Sequence, residues 1–297
     1  MSEVTLEQKR SKPNRSKLLI TLKLLAESKT GLLGLIILVI VSITTLFANF
    51  IAPFDPTEPH LQDTLLPPAW QEEGKSSYLL GTDELGRDVF SRVLYGARIS
   101  LIVGFLSVAV AGIIGLFVGV LAGYFGKWVD QVLMRLVDSF LSIPSILFIM
   151  VILTMFSPGL WMLILVIGLT TWINYARIIR GEVLSLRERE YVKASLSIGT
   201  SHWTIIKKNL IPNVMSTFIV VSTLSVATTI ILEASLSFLG IGIQPPDVSL
   251  GGMLNDGRDY LASHWWMSTF PGLAITVIVL SIIFLGDWLR DVLDPRL

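Results

Sequence analysis

Residues 139–176 read SFLSIPSILFIMVILTMFSPGLWMLILVIGLTTWINYA, 38 residues without one charged side chain. A helix crosses the hydrocarbon core in about 20 residues, so this run is long enough for two crossings. Ser157-Pro158-Gly159 near its middle is turn chemistry and leaves apolar segments of 18 residues before it and 17 after it. Two shorter runs behave as single crossings: Thr30–Phe54 carries no charge over 25 residues and Ile99–Gly126 none over 28. A further run follows Pro212 to about Gly242, broken by Glu233 alone, and a last one extends from Trp266 to Gly286. The pattern predicts an all-α, polytopic membrane protein with six transmembrane helices, at about 30–53, 99–123, 138–156, 159–177, 213–240 and 266–288.

Composition agrees. The chain is 52% hydrophobic and 15% charged, against about 25% charged in an ordinary soluble domain. Its formal net charge is zero and no basic face stands out, so nothing points to nucleic acid. There is no cysteine, which removes disulfides, thiolate nucleophiles and cysteine metal sites. The first apolar run exceeds the ~7–15 residues of a signal-peptide core and no A-x-A-like site follows it, so an uncleaved span is expected.

Orientation follows from lysine and arginine in the connections. With the N-terminus inside, the segments 1–29, 124–136, 177–212 and 289–297 hold 18 of them, and the outside segments hold Lys75, Arg87, Arg92, Arg98 and Arg258. Both termini are therefore expected in the cytoplasm, 1–29 and 289–297 being cytoplasmic segments of a multi-pass protein of the cell membrane. Trp161, Trp265, Trp266 and Trp288 fall near span ends, where indole favours the headgroup region. In the extracytoplasmic loop 54–98, Val89, Phe90, Val93, Leu94 and Ala97 share a helical face opposite Arg92 and Tyr95. That predicts an amphipathic helix lying on the membrane and leading into the second span. Gly115, Gly119 and Gly123 recur every four residues within that span, a stripe that lets another helix approach closely.

Several chemistries are absent. Around Gly126-Lys127, position 121 is Leu and position 128 is Trp, so the phosphate-binding pattern G-x-x-x-x-G-K-[ST] fails at both ends. Gly240-Ile-Gly242 lacks the third glycine of a dinucleotide fingerprint and reads as a turn. His60, His202 and His264 are far apart, with no i, i+3 or i, i+4 pair, so no helical metal site is expected. An intramembrane hydrolase would need paired catalytic groups at membrane depth, and the spans offer Glu233 without a histidine partner. Glu233 lies 21 residues after Pro212, about 31 Å along a helix, near the outer end of the fifth span. An ionisable group there either lines a translocation path or serves as an outer-end anchor or inter-helix hydrogen bond. The chain thus has no energy source of its own, no clear internal repeat and little intramembrane charge. That fits a passive pore or a subunit of a larger pump better than an ion-coupled secondary transporter.

One polar stretch separates the fourth and fifth spans: EYVKASLSIGTSHWTIIKKNLIPN, residues 190–213. It resembles the cytoplasmic loop of ABC-importer permeases, in which E-A-A is followed by a glycine and then by I-x-L-P. Lys193-Ala194-Ser195, Gly199 and Asn209-Leu210-Ile211-Pro212 hold those places with the same spacing. Lys193 stands for the glutamate, Ser195 for the second alanine, Asn209 for the isoleucine and Ile211 for the leucine. LGTDELGRDVFSRVLYGARISL, ASLSFLGIGIQPP and LGDWLRDVLDPRL are similar to the C-type subunit of the dipeptide/oligopeptide/nickel permease family, from about residue 30 to the end.

The resemblance implies a permease subunit without catalytic activity. Its partners would be a second homologous permease, two ATPase subunits, an extracytoplasmic solute-binding protein and the lipid bilayer. The chain itself would bind no cofactor or metal, ATP and Mg belonging to the ATPases. Within the connection 178–212, residues 190–212 would form coupling helices seated in an ATPase groove. Ala194 and Ser195 would allow close approach, Gly199 a sharp turn, and Pro212 would open the fifth span. Glu190, three residues before Lys193 on the same helix face, is the candidate to supply the missing carboxylate. The resemblance implies import of peptides or a related small solute and leaves open which one. The competing class is a self-sufficient secondary transporter or channel.

Overall fold

The computed structural model of the chain describes residues 24–156 and 159–293. Residues 1–23 and 294–297 lie outside it, with Ser157 and Pro158 of the expected turn. Among the described residues regular structure is helical, apart from an isolated bridge between Thr82 and Asp88. Five helices among the described residues are long and apolar enough to cross a membrane, and a bent pair makes six if it is counted as one span.

α1 (Lys29–Leu46) starts where Ser28 accepts a hydrogen bond from the Gly31 amide at 3.2 Å. It packs on α9 (Trp266–Leu293), Gly31 against Trp288 and Gly34 against the carbonyl of Ser281. α2 runs unbroken from Val89 to Phe125, 37 residues, capped by Asp88, which accepts from the Ser91 amide at 2.8 Å. The expected surface helix and the second span are therefore one helix. Nothing between Arg98 and Ile99 interrupts it, and Arg92 is buried on acidic partners instead of facing solvent.

The third crossing differs from a straight helix over 138–156. α3 (Lys127–Leu141) and α4 (Ser145–Met155) meet at 82°. Pro144 is the cause: it supplies no amide hydrogen, its ring excludes the carbonyl of a preceding turn, and it drives Ile143 out of the α region. α5 (Leu160–Arg187) continues ten residues past the expected span end. Ile179, Val183 and Leu186 share a buried face, and Arg180 is held bidentately by Asp130 of α3 at 2.5 and 2.6 Å. α6 (Glu190–Ser197), a short helix His202–Ile205 and a π turn Ile206–Leu210 lead into α7 (Ile211–Phe238). Pro212 does sit in the first turn of α7, but the chain is already helical before it. In the π turn before it the Ile211 amide donates to the Ile206 carbonyl, five residues back. α8 (Leu250–Gly257) sits in the connection to α9.

In lipid the hydrophobic effect does not drive one helix onto another, so close packing must. The glycine stripe of α2 provides it. A Cβ at Gly115 would stand 2.7 Å from the Trp172 carbonyl, at Gly119 2.8 Å from that of Ala176, and at Gly123 2.8 Å from the Val183 Cβ. All three glycines therefore seat α2 against α5. The core continues through Ala111, Tyr175, Val226, Ile230 and Ile282, joining α2, α5, α7 and α9. Trp161 and Trp265 present exposed indoles at span ends, as the boundaries suggested. Trp266 and Trp288 do not: Trp266 donates to the Thr82 carbonyl at 3.0 Å and Trp288 is covered by α1.

Candidate functional site

The connections expected outside meet at one end of the bundle and those expected inside at the other. At the inner end the stretch 190–212 folds on one face and stays open on the other. Val192, Ile205, Ile206 and Leu210 are buried against Val120 and Tyr124 of α2 and Ile179 and Val183 of α5. On the open side Ile198 is 81% exposed and Trp203 59%, with Tyr191 and Leu196 also exposed. Four large apolar side chains in water on so short a stretch are an unfilled surface.

Gly199 makes this shape. Its amide donates to the Leu196 carbonyl at 3.0 Å, and that of Thr200 to the Ser195 carbonyl at 3.1 Å, which closes α6 with a Schellman motif. The motif needs a left-handed residue, and Gly199 has φ +77° with no heavy atom within 4 Å of where a Cβ would be. Ser201 then caps the next helix through Thr204. Asn209 donates from Nδ2 to Ser195 Oγ at 3.1 Å, so two of the departures from the family pattern bond to each other. Lys193 pairs with Glu188 at 2.9 Å, both well exposed, and that lysine holds the Glu188 carboxyl below its ordinary range. Glu190 and Ala194 are exposed beside it. Sequence reading missed the tie between this stretch and α2: Tyr124 OH lies 2.8 Å from His202 Nδ1, and Arg187 Nη1 donates to the Tyr124 carbonyl at 3.1 Å. No local pattern announces it, because 78 residues separate the partners.

The outer end is built from charge. Asp83 accepts from the Leu85 and Arg87 amides, both at 2.9 Å, from Arg87 Nε at 2.7 Å and from Arg92 Nη1 at 2.5 Å. Arg92 also reaches Asp256 of α8 at 3.3 Å. Burial pushes the carboxyls of Glu84 and Asp88 up from their ordinary values, and Tyr78, buried and bonded to Asp63, is raised to about 12. Beside this cluster lies a cleft of about 500 Å³ lined by Arg87, Gln244, Asn255 and Asp256 among others. Glu233 is fully buried, accepting from Ser100 Oγ of α2 at 2.9 Å and Ser237 Oγ at 2.8 Å. The carboxyl thus makes an inter-helix hydrogen bond between α2 and α7 and is fully buried within this chain. A groove of about 520 Å³ opens at the inner end between α5, α7 and α9, with Glu182, Asn213, Ser216, Thr217 and Arg290 in its lining. Among the described residues no three His, Asp or Glu side chains are grouped to hold a metal.

Residues 115–297 match the family of binding-protein-dependent transport system inner membrane components, and residues 20–68 match the N-terminal transmembrane domain of oligopeptide transport permease C. The chain belongs to this permease family. Similar curated proteins include the dipeptide transport system permease DppC of Haemophilus influenzae, 39% identical over 91% of this chain and 92% of that protein. DppC of Escherichia coli K12 is 43% identical over 91% and 90%, and the di/tripeptide permease DppC of Pseudomonas aeruginosa 40% over 92% and 90%. A chain of the inward-facing methionine ABC transporter MetNI shares the fold, with a TM-score of 0.57 and 22% identity over 69% of this chain and 97% of that one. This permease is thus a multi-pass inner-membrane component of an ABC import system, and the self-sufficient transporter or channel is set aside.

Proposed function

We propose that this chain is the C-type permease of an ABC importer for dipeptides, driven through residues 190–212 by separate ATPase subunits. The names borne by relatives at 39–43% identity support the cargo. The open apolar face of 190–212 supports the coupling role and is the observation that carries the reading. Tyr191, Leu196, Ile198 and Trp203 are what an ATPase groove would cover. Val192, Ile205 and Leu210 fix the same stretch to α2 and α5, so a displacement of one face becomes a displacement of the other.

The chain lowers no chemical barrier. ATP and Mg sit on two ATPase subunits, whose closing and opening drive this permease and a second, homologous one between outward-open and inward-open states. An extracytoplasmic solute-binding protein delivers the peptide at the end that holds the ion-pair cluster. Both termini lie in the cytoplasm.

The test is retention of the ATPases on the purified permease pair. Gly199→Val forces a β-branched residue into the left-handed region, at a cost of about 1–3 kcal/mol. It should cut ATPase retention and peptide uptake about tenfold or more, whereas Gly199→Asn, which tolerates that conformation, should retain both. If the valine variant keeps its ATPases and its uptake, residues 190–212 are not the coupling site.

A further inference from the structure

We propose that α2 is the strut that carries movement of the 190–212 stretch to the ion-paired outer end, and that the Tyr124–His202 hydrogen bond is the latch that engages it. The inference rests on the docking of ATPases at that stretch. Its basis is where the two ends of one helix are fastened. Near the inner end of α2, Tyr124 OH meets His202 Nδ1 at 2.8 Å. The His202 ring also packs on Tyr124 and Phe125, with centroids 5.6 and 5.9 Å apart. Arg187, at the end of α5, adds its bond to the Tyr124 carbonyl. Near the outer end, Arg92 bonds to Asp83 and Asp256, and Ser100 bonds to Glu233 of α7.

From Arg92 to Tyr124 α2 rises over about 32 residues, about 48 Å, with no proline. α7 and α9 each carry one, and the third crossing breaks at one. The glycine stripe seats α2 on α5, so the two shift together. The stretch runs on covalently into α5 and α7, and its other contacts with α2 are apolar, which have no direction and allow sliding. The hydrogen bonds at Tyr124 are directional, and they fix the axial position of α2 relative to the stretch. Coupling needs an element that both sites bias, and α2 is bonded to each.

The chain has no cysteine, so Asn255→Cys places a single thiol at the outer cleft beside Asp256. The complete importer carrying it is placed in right-side-out vesicles, and labelling of this chain by a membrane-impermeant maleimide is timed without nucleotide and after trapping with Mg-ATP and vanadate. With the latch intact, the two rates should differ about fivefold or more. Tyr124→Phe removes one hydroxyl outside the docking face. It should bring the ratio close to one while ATPase retention stays at the level of the Asn255→Cys parent. His202→Ala should lower the ratio likewise, and the pair together no further, as for one shared bond. A full rate difference that survives Tyr124→Phe overturns the inference, and so does an absent difference with the latch intact. Failure of the docking reading appears separately, as ATPase retention indifferent to Gly199→Val, and removes the ground of this one.

Discussion

At the outer end the charged side chains are inside, and at the inner end the apolar side chains are outside. Arg92 and Asp83 are each only 6% exposed, whereas Lys193 and Glu188 are 58% and 68% exposed and Ile198 is 81% exposed. The outer cluster is tied around Asp83, which has two backbone and two guanidinium donors, and Arg92 is shared between Asp83 and Asp256, while Glu84 Oε2, Asp88 Oδ1 and Arg92 Nε are buried without a partner. The inner stretch leaves apolar surface unfilled and spends its few ion pairs in water, where they are worth about 0–1 kcal/mol. Together they teach that charge is buried and paired around Asp83 at one end of this permease, while at the other the chain leaves Ile198 and Trp203 uncovered.

Substitutions at four positions can break or sharpen that contrast. Asp83→Ala strands Arg92 in a buried site and should cost about 3–5 kcal/mol, read as a large fall in the melting temperature of the detergent-purified permease. Replacing both partners, Asp83→Ala with Arg92→Met, should recover much of the loss, and a double variant no better than the single one would mean that the cluster is not closed on itself. Ile198→Asp should leave melting within about 0.5 kcal/mol of the parent. It should also weaken ATPase retention about tenfold, about 1.4 kcal/mol of binding; a melting shift as large as that of Asp83→Ala would erase the distinction between the ends. Lys193→Ala breaks a pair that is exposed on both sides, and a change in stability beyond about 0.5 kcal/mol would show that the inner stretch relies on charge after all.

Much of the fold was legible because a membrane demands long uncharged segments and the glycine spacing repeats with the helix. The turn at Gly199 was legible for a similar reason, since a glycine between two short amphipathic stretches is a strong local signal. Where the reading fell short, the deciding partner was remote or the breaker stood inside an apolar run. Arg92 looked solvent-facing because one of its acidic partners, Asp83, lies outside the helix, before its first turn, and the other, Asp256, is 164 residues away. Trp266 looked like an interface residue because the Thr82 carbonyl it bonds is 184 residues distant. The bend in the third crossing did have a signal, Ser142-Ile143-Pro144, hidden by the absence of charge on either side. For Glu233, burial between Ser100 and Ser237 depends on how α2 and α7 meet, which hydropathy does not report. The Tyr124–His202 bond belongs to the same class.

That bend bears on how the third crossing is held. α4 has 11 residues and rises about 16 Å, half of a hydrocarbon core of about 30 Å, while α3 before it carries Lys127, Asp130, Arg135 and Asp138. Neither helix spans the core alone, although the two together are long and apolar enough. α5 supplies the missing hold, with Ile149 and Leu153 buried against Leu163, Ile164 and Ile167, and Arg180 clasping Asp130. The third crossing is therefore held in place by the fourth, and the two pack as a hairpin.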